Sequence, residues 1–135
     1  MAGRREGTEN TDRIVLAVHA AATATEERTV FSAPCPCRVR AVELVSDIAV
    51  TGDNTNTTNI NIKNKGAAGV GTTVVATQNL PTGTNLVAFD AQNVALAAAG
   101  PFAMAEGDTL TIEFVKVGTG VAVGPGLLSI DWEPL

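Results

Sequence analysis

Leu110, Ile112 and Phe114 alternate with Thr111 and Glu113 in Thr109–Val117, and further on Leu128, Ile130 and Trp132 alternate with Ser129, Asp131 and Glu133. A period of two places each apolar set on one face of a strand and each polar set on the other. The same alternation occurs in Thr58–Asn64, where Ile60 and Ile62 oppose Asn59, Asn61 and Lys63. Helical spacing is close to absent. Between the alternating stretches lie turn signals, Pro81-Thr82-Gly83 and Glu106-Gly107-Asp108, and a Gly/Ala loop at Gly66–Gly71. Further strands are expected over Arg13–Ala20, Arg28–Ser32, Cys37–Val45, Thr73–Gln78, Asn85–Phe89 and Val94–Ala97. In Cys37–Val45 the alternation slips near Ala41-Val42, which predicts a bulge. Ala20–Glu27 reads equally as a helical turn or as extended chain, and Gly118–Gly126 as a long glycine-rich loop. The pattern predicts an all-β chain, an antiparallel β-sandwich or jelly roll of about eight strands. An immunoglobulin-like sandwich is the nearest competitor.

At 135 residues the chain fits one domain. Residues 1–12 are polar, of mixed charge and without periodicity, and are expected to form a flexible arm preceding a domain over 13–135. Hydrophobic residues make up 45% but aromatics only 4%, and most of the apolar residues are Ala and Val. Small side chains bury little area each, so a thin core is expected, with part of the burial supplied by neighbouring subunits.

A net charge of −5 and the scarcity of aromatics argue against nucleic-acid binding, which needs a basic face or stacking platforms. Apolar windows are interrupted by Gly, Pro, Asp or Glu well short of the roughly 20 residues of a membrane helix. The first residues lack the apolar centre of a signal peptide, so synthesis in a cytoplasm is expected. Cys35 and Cys37 flank Pro36; a bridge between them closes a strained ring, and they read as small half-buried side chains.

Nothing in the sequence assembles a catalytic centre, and the chain is not expected to be an enzyme. A nucleophilic triad needs a base beside a Ser or Cys, and the single histidine, His19, lies in an apolar strand beside alanines. Glu106 and Asp108 sit on a turn. Asp53, Asn54, Asn56 and Asn59 suggest a calcium loop, but Thr55 stands at the third position and the glycine and terminal glutamate are missing, so no metal or cofactor is expected. An Asx-turn network shaping the loop is the simpler account. With Asn61, these residues form a polar loop and strand suited to lie against another surface. Arg4 and Arg5, with Glu6 and Asp12, mark the arm as a segment able to dock on a partner.

Phe31–Pro36 leading into Arg38-Val39-Arg40-Ala41-Val42, then Thr51-Gly52-Asp53-Asn54-Thr55-Asn56, Gly69-Val70-Gly71-Thr72-Thr73 and Ala105–Leu110 together resemble the head decoration, or cement, proteins of tailed bacteriophages, over about residues 28–133. The resemblance implies a jelly-roll-like domain forming a homotrimer on the outside of an expanded capsid. There it would clamp the major capsid protein, with Ala2–Asp12 as the reaching arm. It carries no catalytic residues. A head-fibre or tail-associated structural protein with a receptor- or glycan-binding role is the alternative. A dedicated sugar-binding module is disfavoured by the single tryptophan, Trp132, and the lack of tyrosine.

Overall fold

The computed structural model describes residues 10–16, 25–98 and 100–135, with Val15 and Leu16 as backbone only. They form β1 (Asn10–Leu16), β2 (Glu26–Ser32), β3 (Cys37–Ser46), β4 (Thr57–Asn64), β5 (Thr73–Gln78), β6 (Ala91–Asn93), β7 (Ala95–Leu96), β8 (Phe102–Met104), β9 (Thr109–Val117) and β10 (Gly126–Pro134). No helix occurs among the described residues. One sheet runs β1-β10-β3-β6, with β8 beside β6 on the same edge of β3; the other runs β2-β9-β4-β5-β7. Every pairing is antiparallel.

The pairs nest: β1 with β10, β2 with β9, β3 with β6 and β8, β4 with β5. This is the wrapped arrangement of a jelly roll, with partners alternating between the two sheets, and it differs from the immunoglobulin order. Ten strands replace the expected eight or so because β6, β7 and β8 are two or three residues long. Asn85–Phe89, expected as a strand, keeps only a bridge from Leu86 to Val50; Phe89 then takes φ 63° and ends the extended run. Asn10, Thr11 and Asp12, assigned from sequence to the arm, are the first rungs of β1, because Asn10 lies opposite Trp132 and Asp12 opposite Ile130.

Alternation places the core. Leu110, Ile112 and Phe114 of β9 and Ile60 and Ile62 of β4 face Val39, Val42 and Leu44 of β3 and Leu128 and Ile130 of β10, all fully buried. The bulge falls at Arg40, which β10 skips between Asp131 opposite Ala41 and Trp132 opposite Val39. It flips the phase of β3, so both Val39 and Val42 reach the core. A second bulge at Val30 does the same for Phe31, whose ring tilts against Trp132 at 5.7 Å between centroids.

The expected thin Ala/Val core is not what packs. The interior is dominated by Leu, Ile, Val and Phe, while Ala67, Ala68, Ala97, Ala98 and Ala103 lie exposed in loops and edges. The described residues therefore close a core within the chain itself.

Candidate functional site

The two ends of the sandwich differ in what their loops do. At one end, Ala33 N–H donates to the Asp108 carbonyl (2.8 Å), Gly107 N–H to the Ala33 carbonyl (2.9 Å) and Lys65 N–H to the Thr109 carbonyl (2.8 Å). Gly71 N–H donates to the Lys65 carbonyl (2.9 Å), so three of the resembling segments, Phe31–Pro36, Gly69–Thr73 and Ala105–Leu110, belong to one backbone-bonded cap. Asp108 Oδ2 accepts from Asn64 Nδ2 and from Ala105 N–H, which accounts for it as a turn residue. Cys35 and Cys37 are free thiols; burial first, then Cys35 and Asp108, pushes the Cys37 thiol up.

The opposite end gathers the Asn/Thr loop singled out from sequence. Asp53 Oδ1 accepts from Thr55 N–H (2.6 Å) and Asn56 N–H (2.9 Å), an Asx turn. These donors, Asn56 first and then Thr55, hold its carboxyl below the usual range. Asn54 Oδ1 accepts from Thr82 N–H and Asn54 N–H donates to Thr82 Oγ1, a reciprocal clasp. Asn56 Oδ1 takes Thr119 N–H, Asn59 Oδ1 takes Leu80 N–H and Asn85 Oδ1 takes Gly52 N–H. Each oxygen thus satisfies a loop N–H that no strand partner reaches. Gly52 lies so close to the carbonyls of Thr84 and Pro81 that a Cβ would sit 2.1 and 2.2 Å from them. The Asx network expected from sequence is present and ties three loops together.

Asn61 lies elsewhere, on the outer face of the second sheet. Its Oδ1 accepts from Thr77 Oγ1 (2.6 Å) and its Nδ2 approaches Glu113 Oε1 at 3.5 Å. That face carries a ladder: Lys63 pairs with Glu113 (3.5 Å), Lys65 with Glu27 (3.3 Å), and Thr111 Oγ1 donates to Glu27 at 2.6 Å. Thr111, expected to face water, is only 6% exposed, because these side chains close over it. Glu27 is held below the ordinary carboxyl value by the Thr111 hydroxyl first and then by Lys65 and Lys63, against a smaller opposing effect of burial. Asp12, named with the arm, accepts from Trp132 Nε1 at 3.3 Å. Arg4, Arg5, Glu6 and His19 lie outside the described residues.

Two features of the loop end escaped the sequence reading. The first is a hollow of about 230 Å³ at the edge of the outer face, floored by Thr57, Asn59 and Val117 and rimmed by Asp53, Asn54, Asn79 and Pro81. Thr57 is 2% exposed and its Oγ1 has no hydrogen-bond partner. No local pattern marks it, since its burial comes from loops distant in sequence. The second is an exposed apolar tip. Val87 is 54% and Phe89 76% exposed, and Ile48 stands at the same end. Phe89 N–H donates to the Ser46 carbonyl and Ser46 Oγ to the Ile48 carbonyl, which fixes the two loops together. A positive φ is rare for a bulky residue.

Larger hollows, of about 520 Å³ beside Arg40 and Asp131 and about 420 Å³ beside Glu27 and Thr111, are floored by groups already paired. Among the described residues no cluster of three or more His, Cys, Asp or Glu is placed to hold a metal ion. The fold and this end define an all-β sandwich module with a hydrogen-bonded loop crown. No protein-family model matches the chain, and no curated protein matches it.

Proposed function

We propose that this chain is a structural virion protein that binds the outside of a phage capsid as a homotrimer and stabilises the expanded head. It works by contact with the major capsid protein and with its own copies, with no reactive group in play. The observation that carries the reading is Phe89. A strained backbone conformation costs about 1–3 kcal/mol, and such strain clusters at ligand clamps and switch regions. Here it presents an aromatic ring to solvent, where the ring adds nothing to the monomer's core. Exposed aromatics backed by rigid structure are the usual anchors of protein contacts. The jelly-roll wrapping and the resembling segments at both ends support the same reading.

The test is Phe89→Gly. Glycine adopts φ 63° without strain, so the melting temperature holds or rises while attachment to expanded heads, followed by co-sedimentation, falls at least about tenfold. Undiminished attachment would remove this tip from the mechanism. The second reading, a head-fibre or tail-associated protein with a receptor- or glycan-binding role, is favoured by the polar hollow. Electron microscopy of the particle separates the two by position.

A further inference from the structure

The hollow at the loop end is shaped by a division of labour within its side chains. Asn54 and Asn59 both spend their carbonyl oxygens on backbone N–H groups, those of Thr82 and Leu80. The orientation of both amides is thereby fixed, since a flipped amide would set NH2 against N–H. Neither NH2 group has an acceptor among the described residues, so both remain as donors. Asp53 uses Oδ1 in its Asx turn and keeps Oδ2 as an acceptor. Thr57 shares the outward face of β4 with Asn59, opposite to Ile60 and Ile62, so its side chain rises into the hollow. A hydroxyl without partner on a residue only 2% exposed is rare in a folded protein, and it leaves Thr57 Oγ1 with its donor and acceptor uncommitted at the floor of the hollow. Val117 and Pro81 complete the walls with C–H surface.

Donor-rich chemistry with one carboxylate excludes two classes of guest. A divalent cation needs several free oxygens, and the amide oxygens are committed. An anion meets the Asp53 charge, which the Asn56 and Thr55 N–H groups preserve into acid. A ring bearing adjacent hydroxyls fits: each hydroxyl both donates and accepts, matching a carboxylate oxygen beside an amide NH2, while the ring's C–H face lies on Pro81 and Val117. At about 230 Å³ the space is below the range of drug-sized sites, roughly 300–1,000 Å³, and suits a single ring.

We propose that this hollow is a binding site for one saccharide ring, its hydroxyls taken by Asp53, Asn54 and Asn59 and by the Thr57 hydroxyl at the floor. It uses no aromatic stacking, so affinity is in the millimolar range and gains strength only from many copies on one particle. The site does not depend on whether the chain sits on a head or a tail.

The experiment is a titration of the isolated protein with D-glucose, D-galactose, D-mannose and N-acetyl-D-glucosamine in turn, following side-chain amide resonances in ¹H–¹⁵N spectra. For at least one sugar, the Asn54, Asn59 and Asn79 amides shift and saturate while Asn93, on β6, stays still. Thr57→Val, which keeps the shape and removes the hydroxyl, weakens binding at least about tenfold with an unchanged or higher melting temperature. Asn59→Asp keeps the acceptor for Leu80 N–H, removes the donor, and weakens binding likewise. Absence of shifts with all four sugars overturns the proposal, as do shifts that both variants retain. Calcium chloride titrated alone leaves the amides in place; movement with calcium would make this a cation site and refute the saccharide.

Discussion

Asn54, Asn56, Asn59 and Asn85 each give a carbonyl oxygen to a loop N–H, so the polar crown is held by side chains where strands end. Gly52 sits at its tightest point, against the carbonyls of Thr84 and Pro81. Gly52→Ala must displace backbone and is expected to cost about 1–3 kcal/mol or more by chemical denaturation, with the loss largest in the loop amides' exchange protection. On the outer face, Glu27 has its carboxyl lowered by Thr111 first, then by the lysines. A depressed carboxyl contributes stability that is present above its unfolded pKa and is lost as pH falls through the folded one. The free energy of unfolding measured against pH should therefore fall in acid, and Glu27→Gln should flatten that fall. The residues read from sequence as an interface loop were thus legible as an Asx network. Their spare NH2 groups were not, because only the fold shows which end of each amide is taken.

The strands that sequence located best include the clearest alternation, that of Thr109–Val117. Thr73–Gln78 and Thr109–Val117 match β5 and β9 end to end, and Thr58–Asn64 misses one residue of β4. The bulge in β3 was visible as a phase slip because a bulge breaks the period of two. β6 and β8 were invisible: Ala91–Asn93 and Phe102–Met104 are strands only because β3 offers them an edge, a non-local cause. β9 lies between β2 and β4 in the second sheet, and Phe114→Ala there should cost about 3–5 kcal/mol by denaturant titration, since the ring is fully buried. The sheet edges on the opposite side carry their own guard. In β2, Glu26 and Arg28 lie opposite Phe114 and Ile112, on the core-facing side, and pair with each other at 2.9 Å. In β1, Asp12 lies opposite Ile130 and caps the Trp132 indole. Inward charges on edge strands oppose edge-to-edge pairing with another copy.

At the scale of the whole molecule, the fold class was legible from turns and alternation, while the source of stability was not. Composition pointed to a core shared between subunits, but the alanines that inflate the apolar share lie mostly outside the interior. Association, as proposed, therefore rests on surface features such as Ile48, Val87 and Phe89 rather than on a missing core. A trimer is expected to dissociate on dilution into folded monomers, not unfolded ones; sedimentation and circular dichroism on one dilution series check this, and loss of structure at the dissociation midpoint would refute it.

β10 lies between β1 and β3, so a strand late in the described chain fills the middle of a sheet that also holds the earliest described strand. Until it leaves the ribosome, β1 has no sheet neighbour among the described strands and β3 lacks one of its two flanks. The growing polypeptide must therefore wait, with apolar strands open to solvent, for a closure that joins Asn10–Leu16 to Gly126–Pro134. A nascent chain stalled before Gly126 should recruit chaperones or aggregate, and release of the remaining residues should rescue it in a single cooperative step.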